Sequence, residues 1–307
     1  MTAPLHSLQD YETVSQFKHG KSQANGGVEQ VLNKFTGNFA VRKRVPNAWA
    51  TREMVIAELE SLHPSVIRYH LVEQDHNNHY FIMDYFPQGD LLSFLQPKLD
   101  QSNLWSVYST GVMIPEEQVW RYLAQLVSCL EWLHNIAGVA HRDIKSENVL
   151  LDDDKNVVIM DFDSAKRIPR EGSCVFNTDV GTTLYRPPEI DQRTSYSYDV
   201  DFYCLGALLY EIYTGNFMFR PKQEDDQSVS EFLWKLKSMK LDGSADFSKV
   251  SPEFREIITG LVSLEPNERV NTFQGLLKMK SFCVIGRSTV YVDLDSVKSL
   301  LGLIALA

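Results

Sequence analysis

The sequence predicts an α+β protein: a β-rich first third with one helix, then a larger and mainly helical part. Three observations predict it. From about Phe17 to Val45 the chain is strand-like, with turn breaks at Gly20, Asn25-Gly26-Gly27 and Thr36-Gly37-Asn38. After Pro115, the residues Val119, Leu123, Leu126, Leu130 and Leu133 recur at a helical period. Between them and the C-terminal third, Val149 to Leu151 and Val157 to Met160 are short apolar runs around a polar turn, the pattern of a β-hairpin. A chain of 307 residues is long enough for one large domain or for two lobes sharing a cleft.

Composition narrows the function classes. Apolar residues make up 44% of the chain, the range of a folded globular protein. A formal net charge of −10 argues against general nucleic-acid binding, which needs clustered Lys and Arg on phosphates. The 4 cysteines are scattered without a Cys-x-x-Cys pair, so neither a disulfide framework nor a zinc site is expected. This suits a reducing intracellular compartment. The N-terminus lacks the pattern of a signal peptide, and the apolar stretch from Leu300 to Ala307 is far short of a membrane span.

The elements can be justified in order. Along Phe39 to Lys43, alternation puts Ala40 and Arg42 on one face of a strand and Val41 and Lys43 on the other. Ala48 to Leu62 reads as a helix with Met54, Ile56, Leu59 and Leu62 as apolar positions. Pro97 to Ile114 has no clear period and reads as a loop insertion whose Trp105 and Tyr108 pack down. Pro115-Glu116-Glu117 then opens a helix, with proline and acidic residues in its first turn.

The chemistry concentrates in His141-Arg142-Asp143-Ile144-Lys145-Ser146-Glu147-Asn148. It holds a carboxylate, a cation two residues on and an amide. The hairpin that follows would return Asp161 beside Asn148. Oxygen ligands next to a carboxylate and a lysine suit a divalent metal and a phosphate group.

This loop resembles the catalytic loop of eukaryotic-type protein kinases, and Asp161-Phe162-Asp163 resembles their Asp-Phe-Gly motif. The resemblance implies a two-lobed fold with ATP and Mg²⁺ between the lobes. It implies Asp143 as the base that accepts the substrate hydroxyl proton and Lys145 as the group that stabilises the transferring phosphoryl. Asn148 and Asp161 would be the Mg²⁺ ligands. The Asp-x-Lys form is that of the Ser/Thr class.

For the first lobe, the resemblance aligns Ala24, Gly26 and Glu29 with the three glycines of the phosphate loop, and Val31 with the valine that ends it. Only Gly26 matches, and a carboxylate at Glu29 would repel a triphosphate. The strand ending in Val-Ala-Ile-Lys maps Ala40 onto the adenine pocket and Arg42 onto the phosphate-holding lysine; a one-residue bulge would present Lys43 instead. Glu53, or Glu58 in its place, would pair with that cation. Met83 would be the gatekeeper, the backbone of Asp84 to Phe86 would bond the base, and Leu150 would lie on the cofactor side. Asp90 of Gly89-Asp90-Leu91 would contact the ribose or the substrate.

In the second lobe, Gly181 to Glu189 resembles Gly-Thr-x-x-Tyr-x-Ala-Pro-Glu, which closes the activation segment. Thr182 would sit against the catalytic Asp and Lys. Thr178 would be an activation site whose phosphate pairs with Arg142. Asp201 would anchor the catalytic loop from the central helix, and Glu189 with Arg269 would form a buried ion pair. The expected layout is an N-terminal extension at 1–16, an N-lobe at 17–85, a C-lobe at 86–282 and a tail at 283–307. The expected activity is transfer of the ATP γ-phosphate to protein Ser/Thr hydroxyls, in the cytoplasm or nucleus, with a weak preference for basic substrates from Glu147. The alternative is a pseudokinase that acts as a nucleotide-binding or interaction scaffold, favoured by Arg42 and Glu29.

Overall fold

The computed structural model describes residues 7–17, 27–59, 63–95, 114–170, 174–218 and 246–279. Gly20, Ala24 and Gly26 lie outside them, as do most of the 97–114 insertion and the apolar C-terminal stretch.

The smaller lobe is built on five antiparallel strands: β1 (Tyr11–Gln16), β2 (Val28–Asn33), β3 (Phe39–Pro46), β4 (Tyr69–Gln74) and β5 (Asn78–Asp84). Their order is β1-β2-β3-β5-β4, and β1 belongs to residues that read from sequence as an extension. Helix α1 (Asn47–Ala57) follows β3 without a loop and buries Ala50, Glu53, Val55 and Ile56. It ends five residues before the helix that periodicity predicts. The outer face of the sheet carries a small cluster of Tyr11, Val31, Ala40 and Ile82, while Val45, Phe81 and Met83 join the main core.

The larger lobe is helical. Helix α2 (Leu91–Leu95) is capped by Asp90, whose carboxylate accepts from the Ser93 amide at 2.7 Å. Helix α3 (Glu116–Trp132) starts after Pro115 and buries Val119, Leu123, Leu126 and Leu130, the positions its period marks. It closes in a π-helical turn at Leu133–Ala137, ended by Gly138 in the left-handed conformation. The short strands β6 (Val139–Ala140) and β9 (Lys166–Arg167) pair across the hairpin formed by β7 (Val149–Leu151) and β8 (Val157–Ile159).

Helix α4 (Pro188–Asp191) precedes α5 (Val200–Thr214), the centre of the lobe. Every residue of α5 from Val200 to Tyr213 is buried, the mark of a helix covered on all sides. Gly206 lets it approach the segment after α6 (Pro252–Leu261): a Cβ there would meet Val262 at 2.6 Å. Helix α7 (Phe273–Lys278) follows.

The two lobes are joined by polar links as well as packing. The Ser65 amide donates to Nδ1 of His63 at 3.1 Å, so the ring proton lies on Nε2, which faces Ser128 Oγ of α3 at 3.0 Å. Burial lowers the pKa of His63 to about 4, which keeps this link neutral. The Ile159 amide of β8 bonds the Ser65 carbonyl at 2.8 Å.

Candidate active site

The site is assembled from β3, α1, the loop between β6 and β7, and the turn after β8. On β3 the alternation read from sequence holds, but the cleft face is the other one. The register runs unbroken from Ala40↔Asp84 to Pro46↔Asn78, so β3 carries no bulge there. Directly opposed residues share a face. Lys43 therefore stands with Val28 and Phe81, and Val41 with Gln30 and Met83. Arg42 stands with Glu29 and Ile82 on the outer face, and Val31 with Ala40.

This corrects three expectations together. Arg42 does not occupy the phosphate-holding position: its Nε donates to Glu29 at 2.9 Å, and its Nη2 bonds Thr13 Oγ1 at 2.6 Å. Ala40 and Val31 pack in the outer cluster, and Val41 has the position facing the cleft. Period 2 fixes which residues share a face but not which face is inward, and the packing of α1 decides that. Glu29 is turned outward as well, where Arg42 and its hydrogen bonds outweigh partial burial and hold its pKa below the usual range.

The lysine in the cleft is Lys43. Its Nζ reaches Glu53 Oε2 of α1 at 3.1 Å, Asp161 Oδ1 at 2.8 Å and Asp163 Oδ1 at 2.9 Å. Burial disfavours its charge, but the three carboxylates outweigh that and raise its pKa well above the ordinary value. Glu53, 1% exposed, also accepts from the Tyr69 hydroxyl at 2.6 Å; burial pushes its carboxyl up, against the pull of Lys43. Glu58, the other candidate, reaches Arg167 at the surface. Asp161 has a left-handed backbone, φ 63°. A non-glycine residue there costs roughly 1–2 kcal/mol, strain of the kind that gathers at functional sites.

Across the cleft the catalytic-loop residues are tied into one network. Lys145 Nζ donates to Thr182 Oγ1 at 2.9 Å, and that hydroxyl donates to Asp143 Oδ1 at 2.8 Å. Asn148 Nδ2 donates to the Asp143 carbonyl at 2.8 Å and to Oδ2 at 3.1 Å. Its amide nitrogen is thus occupied, and its carbonyl oxygen is the atom a hard cation would take. The hairpin carries on one residue past β7, as the Met160 amide donates to the Asn148 carbonyl at 2.9 Å. Asn148 and Asp161 are brought to the same end of it.

The loop itself is held from below by Asp201. This fully buried carboxylate accepts from the His141 amide at 2.8 Å and the Arg142 amide at 2.6 Å, and it faces His134 Nε2 at 2.8 Å. Burial would raise its pKa, but His134 and the amides outweigh that and lower it. Arg142, also left-handed at φ 67°, extends Nη1 to Thr178 Oγ1 at 2.6 Å and lies over the Phe176 ring. Arg269 binds both oxygens of Glu189, at 2.7 and 3.2 Å, with the guanidinium fully buried.

The remaining sequence candidates are placed as follows. Met83 is buried on the cleft side of β5. The Asp84 side chain pairs with His70, Phe86 is half-buried, and Leu150 bridges Asp90. Asp163, which stands where the motif has glycine, adds its charge beside Asp161 and on Lys43. Three other residues at the site carry no mark in the sequence. Tyr69 fixes Glu53, and Tyr196 faces both Arg142 and Thr178. Glu211 of α5, buried beneath the loop, accepts from Ser146 Oγ at 3.0 Å and from Tyr185 at 2.5 Å. None of these three is signalled by local pattern, since each acts through a contact distant in sequence.

Comparison with known proteins agrees with this geometry. Residues 21–282 match the family model described as the protein kinase domain. Human "Ribosomal protein S6 kinase alpha-4" is 30% identical over 241 residues, 76% of this chain and 29% of that protein. "Serine/threonine-protein kinase mrck-1" of Caenorhabditis elegans is 37% identical over 155 residues, 49% of this chain and 9% of that protein. "Putative ribosomal protein S6 kinase alpha-1" of the same organism is 33% identical over 217 residues, 71% of this chain and 25% of that protein. The chain thus spans less than a third of the length of these relatives. With a two-lobed fold, a lysine–glutamate pair in the cleft and an ordered aspartate loop opposite, the chain belongs to the eukaryotic-type protein kinase family.

Proposed function

We propose that this protein transfers the γ-phosphate of Mg-ATP to Ser/Thr hydroxyls of protein substrates, with Asp143 as the base. The observation that carries the reading is Lys43, buried in the cleft between Glu53 and Asp161. The smaller lobe thereby has the phosphate-holding cation that Arg42 left in doubt, which favours an active enzyme over a scaffold.

The donor set fits Mg-ATP. A carboxylate at Asp161 and an amide oxygen at Asn148 are the hard ligands Mg²⁺ prefers, and Lys43 offers an ammonium to phosphate oxygens. When bound, Mg-ATP supplies the transferable phosphoryl group and the metal charge that neutralises its oxygens. The chain's own residues supply position and proton transfer. Asn148 and Thr182 orient the two oxygens of Asp143 so that the carboxylate can accept a proton from a substrate hydroxyl. Lys145, 3.3 Å from Asp143 Oδ2, places a positive charge where the transferred group gains negative charge. Asp201 holds the loop backbone still during the step.

Thr178 stands as the activation site in this reading. A phosphate on its hydroxyl would meet Arg142, already 2.6 Å away, in a charge-assisted hydrogen bond. The Glu147 carboxylate supports a preference for basic substrates, and the need for ATP supports action in the cytoplasm or nucleus. Incubating the full chain with Mg-ATP and a mixed peptide library tests the proposal. Phosphate should appear on Ser and Thr, and Asp143→Asn should be silent. Equal transfer by both would sink the assignment of the base, and no transfer by either would favour the scaffold.

A further inference from the structure

Asp163 replaces the glycine of the Asp-Phe-Gly motif, and its side chain does something a glycine cannot. Its Oδ1 lies 2.9 Å from Lys43 Nζ, beside Asp161 at 2.8 Å and Glu53 at 3.1 Å. A single ammonium is therefore shared by three carboxylates. The three differ in how firmly they are held. Glu53 is buried and fastened by Tyr69, so it stays. Asp163 is about one-third exposed, and its carboxylate is held by Lys43. Its backbone is fixed separately, by Arg52 Nη1 donating to its carbonyl at 3.1 Å. The carboxyl can thus swing away while the turn stays in place.

A nucleotide entering without metal brings negative oxygens to a lysine already surrounded by three negative groups. It must displace one of them and lie close to all three. We propose that Asp163 is a positioning residue that competes with nucleotide phosphate for Lys43, and so makes nucleotide binding strongly dependent on a divalent cation. The inference rests on the reading of the cleft as a nucleotide site. A cation at Asp161 and Asn148 offsets the crowded charge and lets the Asp163 carboxylate leave Lys43. Removing only that carboxylate removes the competition, while the Lys43–Glu53 pair stays intact.

The test is the affinity of the full chain for ATP by calorimetry, with excess MgCl₂ and with excess EDTA. It is made on the wild type, on Asp163→Asn, which keeps the shape, and on Asp163→Gly, which restores the family's residue. Wild type should bind ATP with Mg²⁺ and much more weakly in EDTA. Both variants should bind metal-free ATP about tenfold more tightly than wild type, the scale of one like-charge contact in a partly screened site. Unchanged binding in EDTA by both variants would overturn the proposal. So would a loss of affinity confined to the Mg²⁺ condition, which would make Asp163 a metal ligand. Failure of wild type to bind ATP in either condition would overturn the nucleotide reading beneath it.

Discussion

Replacing Lys43 and Arg42 in turn separates the lysine in the cleft from the cation beside it. Lys43→Ala removes a buried ammonium from Glu53, Asp161 and Asp163. Stripping one partner from a buried pair costs about 3–5 kcal/mol when the remaining charge must stay. Glu53 can escape that cost. Burial already pushes its carboxyl up against the pull of Lys43, so losing the lysine shifts it further toward the neutral acid, which can keep its Tyr69 hydrogen bond. The net loss should then be closer to one buried hydrogen bond, about 1–2 kcal/mol. For a chain of this size that lowers the melting temperature by roughly 2–3 °C. Phosphotransfer should fall far more, by about 10²–10³, the value of one preorganised charge contact to the transferring group.

Arg42→Ala should behave differently. Arg42 and Glu29 have side chains 21% and 25% exposed, and a pair of that kind is worth about 0–1 kcal/mol. Turnover should stay within about twofold of wild type, since no reacting group is touched. Radiolabelled phosphate transfer to a library-selected peptide, read beside thermal melts of each variant, gives both quantities. The reasoning fails if Arg42→Ala loses as much activity as Lys43→Ala, or if Lys43→Ala retains near wild-type turnover.

Three further outcomes follow from the larger lobe. Burial raises the Glu211 carboxyl to about 8, with Tyr185 and Ser146 pulling the other way and Glu147 adding to the rise. The folded state then binds more protons than the unfolded one between roughly pH 4.5 and 8, so stability falls as pH rises through that window. Glu211→Gln should remove a few kcal/mol of that slope in urea titrations run at several pH values, and an unchanged slope would exclude Glu211 as its source. Arg269→Ala leaves Glu189 and Asp199 buried without their cation and should cost about 3–5 kcal/mol by denaturant unfolding. Much of that should return in the Arg269→Met, Glu189→Gln double variant. Gly181, at φ 86°, would put a Cβ 2.8 Å from the Arg142 carbonyl oxygen. Gly181→Ala should displace Thr182 from Asp143 and lower turnover about 10- to 100-fold, with a smaller loss in melting temperature; a variant of unchanged turnover would contradict that link.

The C-lobe site was legible because its residues are close in sequence. Asp143, Lys145 and Asn148 lie within six positions, and a hairpin of known pairing returns Asp161 to them. Helix α3 was legible because its apolar period is clean and Pro115 marks its start. The smaller lobe was legible only in part. Alternation sorted Val41 and Lys43 from Ala40 and Arg42, but a strand covered on both faces gives no local sign of which side meets the cleft. Matching the family's alanine to Ala40 puts the arginine in the pocket. A residue one position along is the one that α1 and the turn after β8 enclose.

What the sequence determined by itself was the fold class and the family resemblance, with residues 141–148 as the candidate loop, all of which rest on local period and spacing. The tertiary structure decided the rest. It chose Lys43 over Arg42, turned Glu29 away from the cleft, gave Glu53 rather than Glu58 to the lysine and brought Asp163 into the same cluster. Each of these depends on which face of a sheet or helix is covered. That is settled by the joint burial of apolar residues from distant segments, with charged groups left to find partners on whichever side remains.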